Sequence, residues 1–166
     1  EMAGVEVEEF FALEEPVPVL ANWFEGQSSL WAERLTLVGK KDARVIARYK
    51  KSNGWLDGQV AISVNSFGKG LVYTIGTYLD KPAQQELIAR LLKTARVTTI
   101  ATPPGIEISA RTRPDGDKVY IVINHNAAEC PLRLPWPAFE HLGRTALNDE
   151  FKLAAYAVAV VTPVKK

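Results

Sequence analysis

The sequence predicts an α+β fold, mostly antiparallel β: a mixed sheet with one packed helix over residues 1–98, then a small β-sandwich over 106–166. Three observations predict it. Apolar residues alternate with polar ones along most of the chain, the period of a half-buried strand. Glycine, proline, asparagine and aspartate punctuate those runs at turn spacing. A single stretch, KPAQQELIARLLKTA (81–95), breaks the pattern with a helical apolar stripe.

The elements follow in order. GVEVEEFFAL (4–13) sets Val5 and Val7 against Glu6 and Glu8, a strand with one apolar face. EEPVPVLANW (14–23) carries two prolines, which predict an edge or a loop. SLWAERLTLV (29–38) and ARVIARYK (43–50) read as further strands. KSNGWLDGQ (50–58) holds turn chemistry at Asn53-Gly54 and Asp57-Gly58. In QVAISVNSFGKGLVYTIGT (59–77), Val60, Ile62 and Val64 mark one strand face, and Leu71, Tyr73 and Ile75 the next. Asn65 to Gly70 is the hairpin connection between them. In the helix, Asp80 suits the N-cap and Pro82 the first turn. Ala83, Leu87, Ile88, Leu91, Leu92 and Ala95 form the stripe, which ends near Arg96. TPPG (102–105) reads as a linker. Strands follow at 106–113, 118–126 and 128–135, with a turn at Pro114-Asp115-Gly116. The segment 151–164 reads as a last pair bent near Ala154-Ala155.

The 166 residues carry a net charge of +1, which gives no strong pull toward nucleic acid or an acidic membrane. The longest apolar run, near Leu153–Val161, is well short of the ~20 residues of a membrane span. EMAGVEVEEF is acidic and lacks a signal-peptide pattern. One cysteine, Cys130, allows no internal disulfide and no thiolate cluster. These features lead us to expect a cytoplasmic chain with no cofactor, no bound metal, no nucleic-acid partner and no membrane partner.

Several chemistries can be tested on the residues. The stretch NSFGKGLVYTIG (65–76) places a lysine between glycines, but a strand follows it. A phosphate-cradling loop needs a helix N-terminus there, so the hairpin reading is preferred. Cys130 lies between Glu129 and Pro131 in a β-rich region, unlike a nucleophile on a strand-to-helix turn, and reads as a structural thiol. His125 and His141 show no metal spacing. Glu6, Glu8 and Glu9 mostly line the solvent face of one strand, and Glu14-Glu15 lie in a loop, so no facing carboxyl pair for glycoside cleavage is evident. Large aromatics mostly pack in cores. Among Trp23, Trp31, Trp55 and Trp136, the ones beside turn or proline residues, Trp55 and Trp136, are the candidates for exposed, sugar-stacking rings.

WLDGQVAISVNSFGKGLVYTIGTYLD (55–80) resembles the late part of the trimerisation module of family 42 β-galactosidases: a strand, a G-[KR]-G turn, a strand V-Y-[YV]-[IV]-G-T, then a helix. GVEVEEFFAL resembles that module's V-E-E segment, and WAERL and ARVIARY resemble segments between. PPGIEISARTRPDGDKVYIVINHN and AECPLRLP resemble the small β-domain that ends those enzymes. The likeness spans nearly the whole chain. It implies residues 1–98 as part of an amidotransferase-like trimerisation module and 106–166 as the terminal β-domain. In that family a (β/α)₈ barrel carries two catalytic glutamates. A barrel needs at least ~200 residues, so no catalytic residue transfers to this chain. The expected role is assembly and stability of a β-galactosidase-like hydrolase, with a carbohydrate-binding module as the alternative. The expected partners are further copies of the chain, a dimer ahead of a trimer, and the catalytic barrel of a parent hydrolase.

Overall fold

A computed structural model describes residues 2–38, 43–51, 54–148 and 150–164. Asn53 of the expected Asn53-Gly54 turn lies outside the described residues. The chain divides into two compact units, Glu1–Val97 and Thr98–Lys166. Apart from one helix, the elements of both are strands, and every strand pairing among the described residues is antiparallel. The α+β class holds, but the expected mixed sheet gives way to a purely antiparallel one. Its strands are joined by turns and short loops, and a parallel pair needs a crossover of a dozen or more residues.

The first unit contains β1 (Val5–Ala12), β2 (Val17–Ala21), β3 (Glu25–Leu37), β4 (Arg44–Tyr49), β5 (Val60–Phe67), β6 (Gly70–Ile75), β7 (Thr77–Leu79) and α1 (Lys81–Thr94). The sheet order is β1-β3-β2-β4-β5-β6, with β7 on β3. β5 also returns to β3 at Leu35–Val60. The ladder β3-β2-β4-β5 thereby closes on itself around a core that includes Val17, Val19, Tyr49, Leu56 and Ile62. β3 can serve four neighbours because its 13 residues are shared out: the first part pairs with β2 and β7, the second with β1. At the changeover Leu30 takes φ 65, between the Ser29 and Ala32 pairings where the β7 register shifts.

Four local expectations are corrected here. Val17–Ala21 is a strand with neighbours on both sides, not an edge or loop. Pro18 is tolerated because the β4 ladder begins only at Val19, while the Pro18 carbonyl accepts from the Lys50 N–H at 2.8 Å. The hairpin is tighter than Asn65–Gly70. Phe67 pairs with Gly70, so the turn is Gly68-Lys69, and Gly68 supplies the left-handed φ of 58. Val7, expected on the buried face of its strand, is exposed, because β1 is the outermost strand of the ladder. The helix stripe is narrower than six residues. Ala83 and Leu87 are buried, Leu91 packs partly, and Ile88 and Ala95 face water. Gly26 explains the geometry: a Cβ there would collide with the Ala83 methyl, so its absence lets the helix approach β3 and sets Ala83 and Leu87 inward. Asp80 caps the helix by accepting from the Ala83 N–H, and Arg96 follows its end with φ 55.

The second unit comprises β8 (Ile106–Thr112), β9 (Lys118–Asn124), β10 (Cys130–Arg133), β11 (Ala138–Glu140), β12 (Thr145–Leu147), β13 (Glu150–Leu153) and β14 (Val158–Pro163). A five-stranded sheet, β12-β11-β14-β9-β8, shares one core with the two-stranded sheet β10-β13. Val122, Ala138 and Val161 come from the first sheet, Leu132 and Leu153 from the second. The expected last pair is therefore split between sheets, with Ala154–Ala157 as the corner.

Candidate functional site

The Gly68-Lys69 turn is the simplest candidate to place. Strands flank it on both sides, and the chain's helix begins at Lys81, beyond β7. The backbone N–H cluster of a phosphate loop is not built there.

Exposed apolar surface gathers on the outer strands of the first unit. β1 and β6 end the ladder, so each has one edge without a strand neighbour among the described residues. On β1, Phe10 is 64% exposed and stacks on Trp31 with ring centroids 6.0 Å apart. Leu30 lies exposed beside Trp31 in sequence, presented by the bulge. On β6, Leu71 and Ile75 are exposed, and so is Phe67 at the end of β5. The acidic residues of β1 temper its edge. Glu8 pairs with Arg34 at 2.8 Å and accepts from Thr36. The Thr36 hydrogen bond and Arg34 together hold its carboxyl below the usual range against partial desolvation. Such edges, apolar and charge-marked, are where β proteins meet other chains.

A second feature is concave. The loop between β1 and β2 and the loop before β5 enclose a groove of about 470 Å³, lined by Phe11, Leu13, Glu14, Glu15, Trp55 and Leu56 among others. Trp55 is 68% exposed and meets Phe11 edge to face at 5.3 Å. Its loop is held from below. Leu56 is buried, the Asp57 carboxylate accepts from the Gly54 N–H, and the Gly58 N–H donates to the Tyr49 carbonyl.

The other residues singled out from sequence fall elsewhere. Trp136 belongs to the second unit, is half-buried, and packs on Tyr120 at 4.8 Å in its core. Trp23 packs against the first core with Arg90 over its ring. Cys130 is partly buried on the second core. His125 lies just past β9, 3.0 Å from Glu107, and His141 contacts Thr162. Glu14 and Glu15 share the Trp55 groove, while Glu6, Glu8 and Glu9 lie on exposed β1.

Two polar anchors carried no signal that sequence reasoning used. Asn124, buried at the end of β9, donates to the carbonyls of Ala128, Leu153 and Ala154 and accepts from the Asn126 N–H. Glu140 is buried at the end of β11. Burial alone would raise its carboxyl, but N–H donors from Gly143, Leu142 and Val160, with His141 nearby, bring it below the ordinary value. The lone signal for either is its position between an apolar strand and a turn.

Comparison with known proteins places this geometry. A family model described as the beta-galactosidase trimerisation domain matches residues 1–98. A β-galactosidase of Arthrobacter sp is 29% identical over 161 residues, covering 95% of this chain and 22% of that protein. The β-galactosidase LacZ of Heyndrickxia coagulans is 28% identical over 128 residues, covering 75% of this chain and 18% of that protein. Among solved structures, a β-galactosidase from Bacillus circulans sp. alkalophilus superposes with a TM-score of 0.85 at 21% identity, over 98% of this chain and 25% of that one. Gan42B, a GH42 β-galactosidase, gives 0.82 at 20% identity, over 99% and 24%. The structural likeness shows the fold. The chain spans about a fifth of the length of the curated relatives it matches.

Proposed function

Because this chain belongs to the β-galactosidase trimerisation-domain family, we propose that it serves the assembly and stability of a β-galactosidase-like glycoside hydrolase and supplies no catalytic group itself. The observation that carries this reading is the apolar surface on the terminal strands: Phe10 on β1 and Leu71 and Ile75 on β6 stand exposed beside sheet edges that have no strand neighbour among the described residues. Residues 1–98 are read as the assembly module and 106–166 as a separate C-terminal β-sandwich domain. Catalysis belongs to a barrel that this chain would accompany, a reading supported by the small share of its relatives that it spans. A cytoplasmic setting is supported by the single cysteine.

Sedimentation over a wide concentration range tests the proposal. The expected mass is that of a closed homo-oligomer, dimer or trimer. Phe10→Glu places a charge in the exposed patch and is expected to shift the mass toward monomer. A wild-type chain that stays monomeric at the highest attainable concentration overturns the reading.

A further inference from the structure

We propose that the groove between Trp55 and the β1–β2 loop binds the ring of a neutral sugar. The argument rests on the groove itself and not on the assembly reading. Its volume, about 470 Å³, falls within the ~300–1,000 Å³ of small-molecule sites. One wall is aromatic, an exposed indole braced edge-on by Phe11. Glu14 and Glu15 line the other, and among the described residues no lysine or arginine does.

That combination selects by elimination. A phosphate or carboxylate ligand meets two like charges and no compensating cation among the described lining residues. A purely apolar ligand covers Trp55 but desolvates carboxylates without giving them a donor. A pyranose answers both walls: its C–H face lies on the indole, and its hydroxyls donate to carboxylate oxygens, which are acceptors only when ionised. The walls are set before the ligand arrives. Leu56 and Val17, one in each lining segment, are buried, and the Leu13 N–H donates to the Leu30 carbonyl at 3.0 Å. Little ordering is then needed on binding.

Proton–nitrogen correlation spectra of the whole chain read each tryptophan indole N–H separately, with Trp55 assigned through Trp55→Phe. Titration with galactose and with lactose is expected to move the Trp55 signal saturably and leave those of Trp23, Trp31 and Trp136 in place. Trp55→Ala should abolish the remaining sugar-induced shifts. Glu14→Gln with Glu15→Gln, which trades charged acceptors for neutral ones, should weaken binding by about three- to ten-fold, the difference between a charge-assisted and a neutral hydrogen bond. No saturable shift up to ~0.1 M sugar, or a shift elicited by arginine and not by sugar, overturns the site. Sedimentation of the same samples keeps the two proposals apart. If self-association covers the groove, Trp55 is shielded from acrylamide quenching and insensitive to sugar, which defeats the sugar site and leaves assembly standing.

Discussion

Tyr49 puts a phenol at the centre of the first core, and burial pushes its pKa up to about 12. Its hydroxyl donates to the Gly76 carbonyl at 2.8 Å and lies 3.2 Å from that of Glu33, where β5, β6 and β3 converge. The folded pKa stands above the unfolded value of 10, so this stabilisation is complete below about pH 10 and lost between pH 10 and 12. Tyr49→Phe is expected to cost about 1 kcal/mol at neutral pH and to flatten that alkaline decline, both read from denaturant titrations across the pH range. Asn124 carries more. Substitution by leucine strands the Ala128 carbonyl ahead of β10 and the Leu153 and Ala154 carbonyls at the corner between β13 and β14. The expected loss exceeds about 2 kcal/mol, because each buried group left unsatisfied costs ~1–3 kcal/mol. A loss within ~0.5 kcal/mol, the surface value, would show that water replaces the amide.

At the scale of elements, what was legible in the sequence depended on whether the signal was local. Helix α1 declared itself by its cap and period, and the β5–β6 hairpin by its glycines. β11 and β12 did not, since three residues beside prolines and turns carry no period. The length of β3 and the closure of the ladder at Leu35–Val60 are tertiary facts without a local trace. The exposure of Trp55 was legible because turn residues flank it. Trp136 has prolines on both sides, and its ring is half-buried against Tyr120 and the second core. The helix stripe was overdrawn because period alone does not say how closely a helix approaches. Gly26 decides that. Leu87→Ala should therefore cost about 2–5 kcal/mol. Leu91→Ala should cost less, because Leu91 only partly packs. Gly26→Ala should cost about 1–3 kcal/mol by forcing α1 off β3. Thermal unfolding of the three variants checks the order; equal losses for Leu87 and Leu91 would return the helix to a broad buried stripe.

For the whole molecule, the arrangement of the cores matters more than the count of strands. Each unit closes its own: Val19, Tyr49 and Ile62 with Leu87 in the first, Val122, Leu132 and Val161 in the second. The backbone between α1 and β8 takes no regular structure, and most of residues 96–105 are exposed. Among the described residues, the buried members of each core come from its own unit, so each unit is expected to fold when produced alone as residues 1–97 or 98–166. Their stabilities should differ. The second has 166 − 97 = 69 residues, and at such a size a single core rarely supplies more than ~3–5 kcal/mol. The first is larger and adds the helix to its sheet. Urea titration of the separate units should give two cooperative transitions, with the lower midpoint for 98–166. In that unit the buried Glu140, held below its ordinary pKa by backbone donors, adds an acid limb. Its stabilisation is present above about pH 4.5 and fades as the pH falls through the lower folded value. Glu140→Gln should remove that acid dependence from 98–166 and leave 1–97 unchanged. A 98–166 chain without a cooperative transition at any pH would instead mean that its core needs the first unit to form.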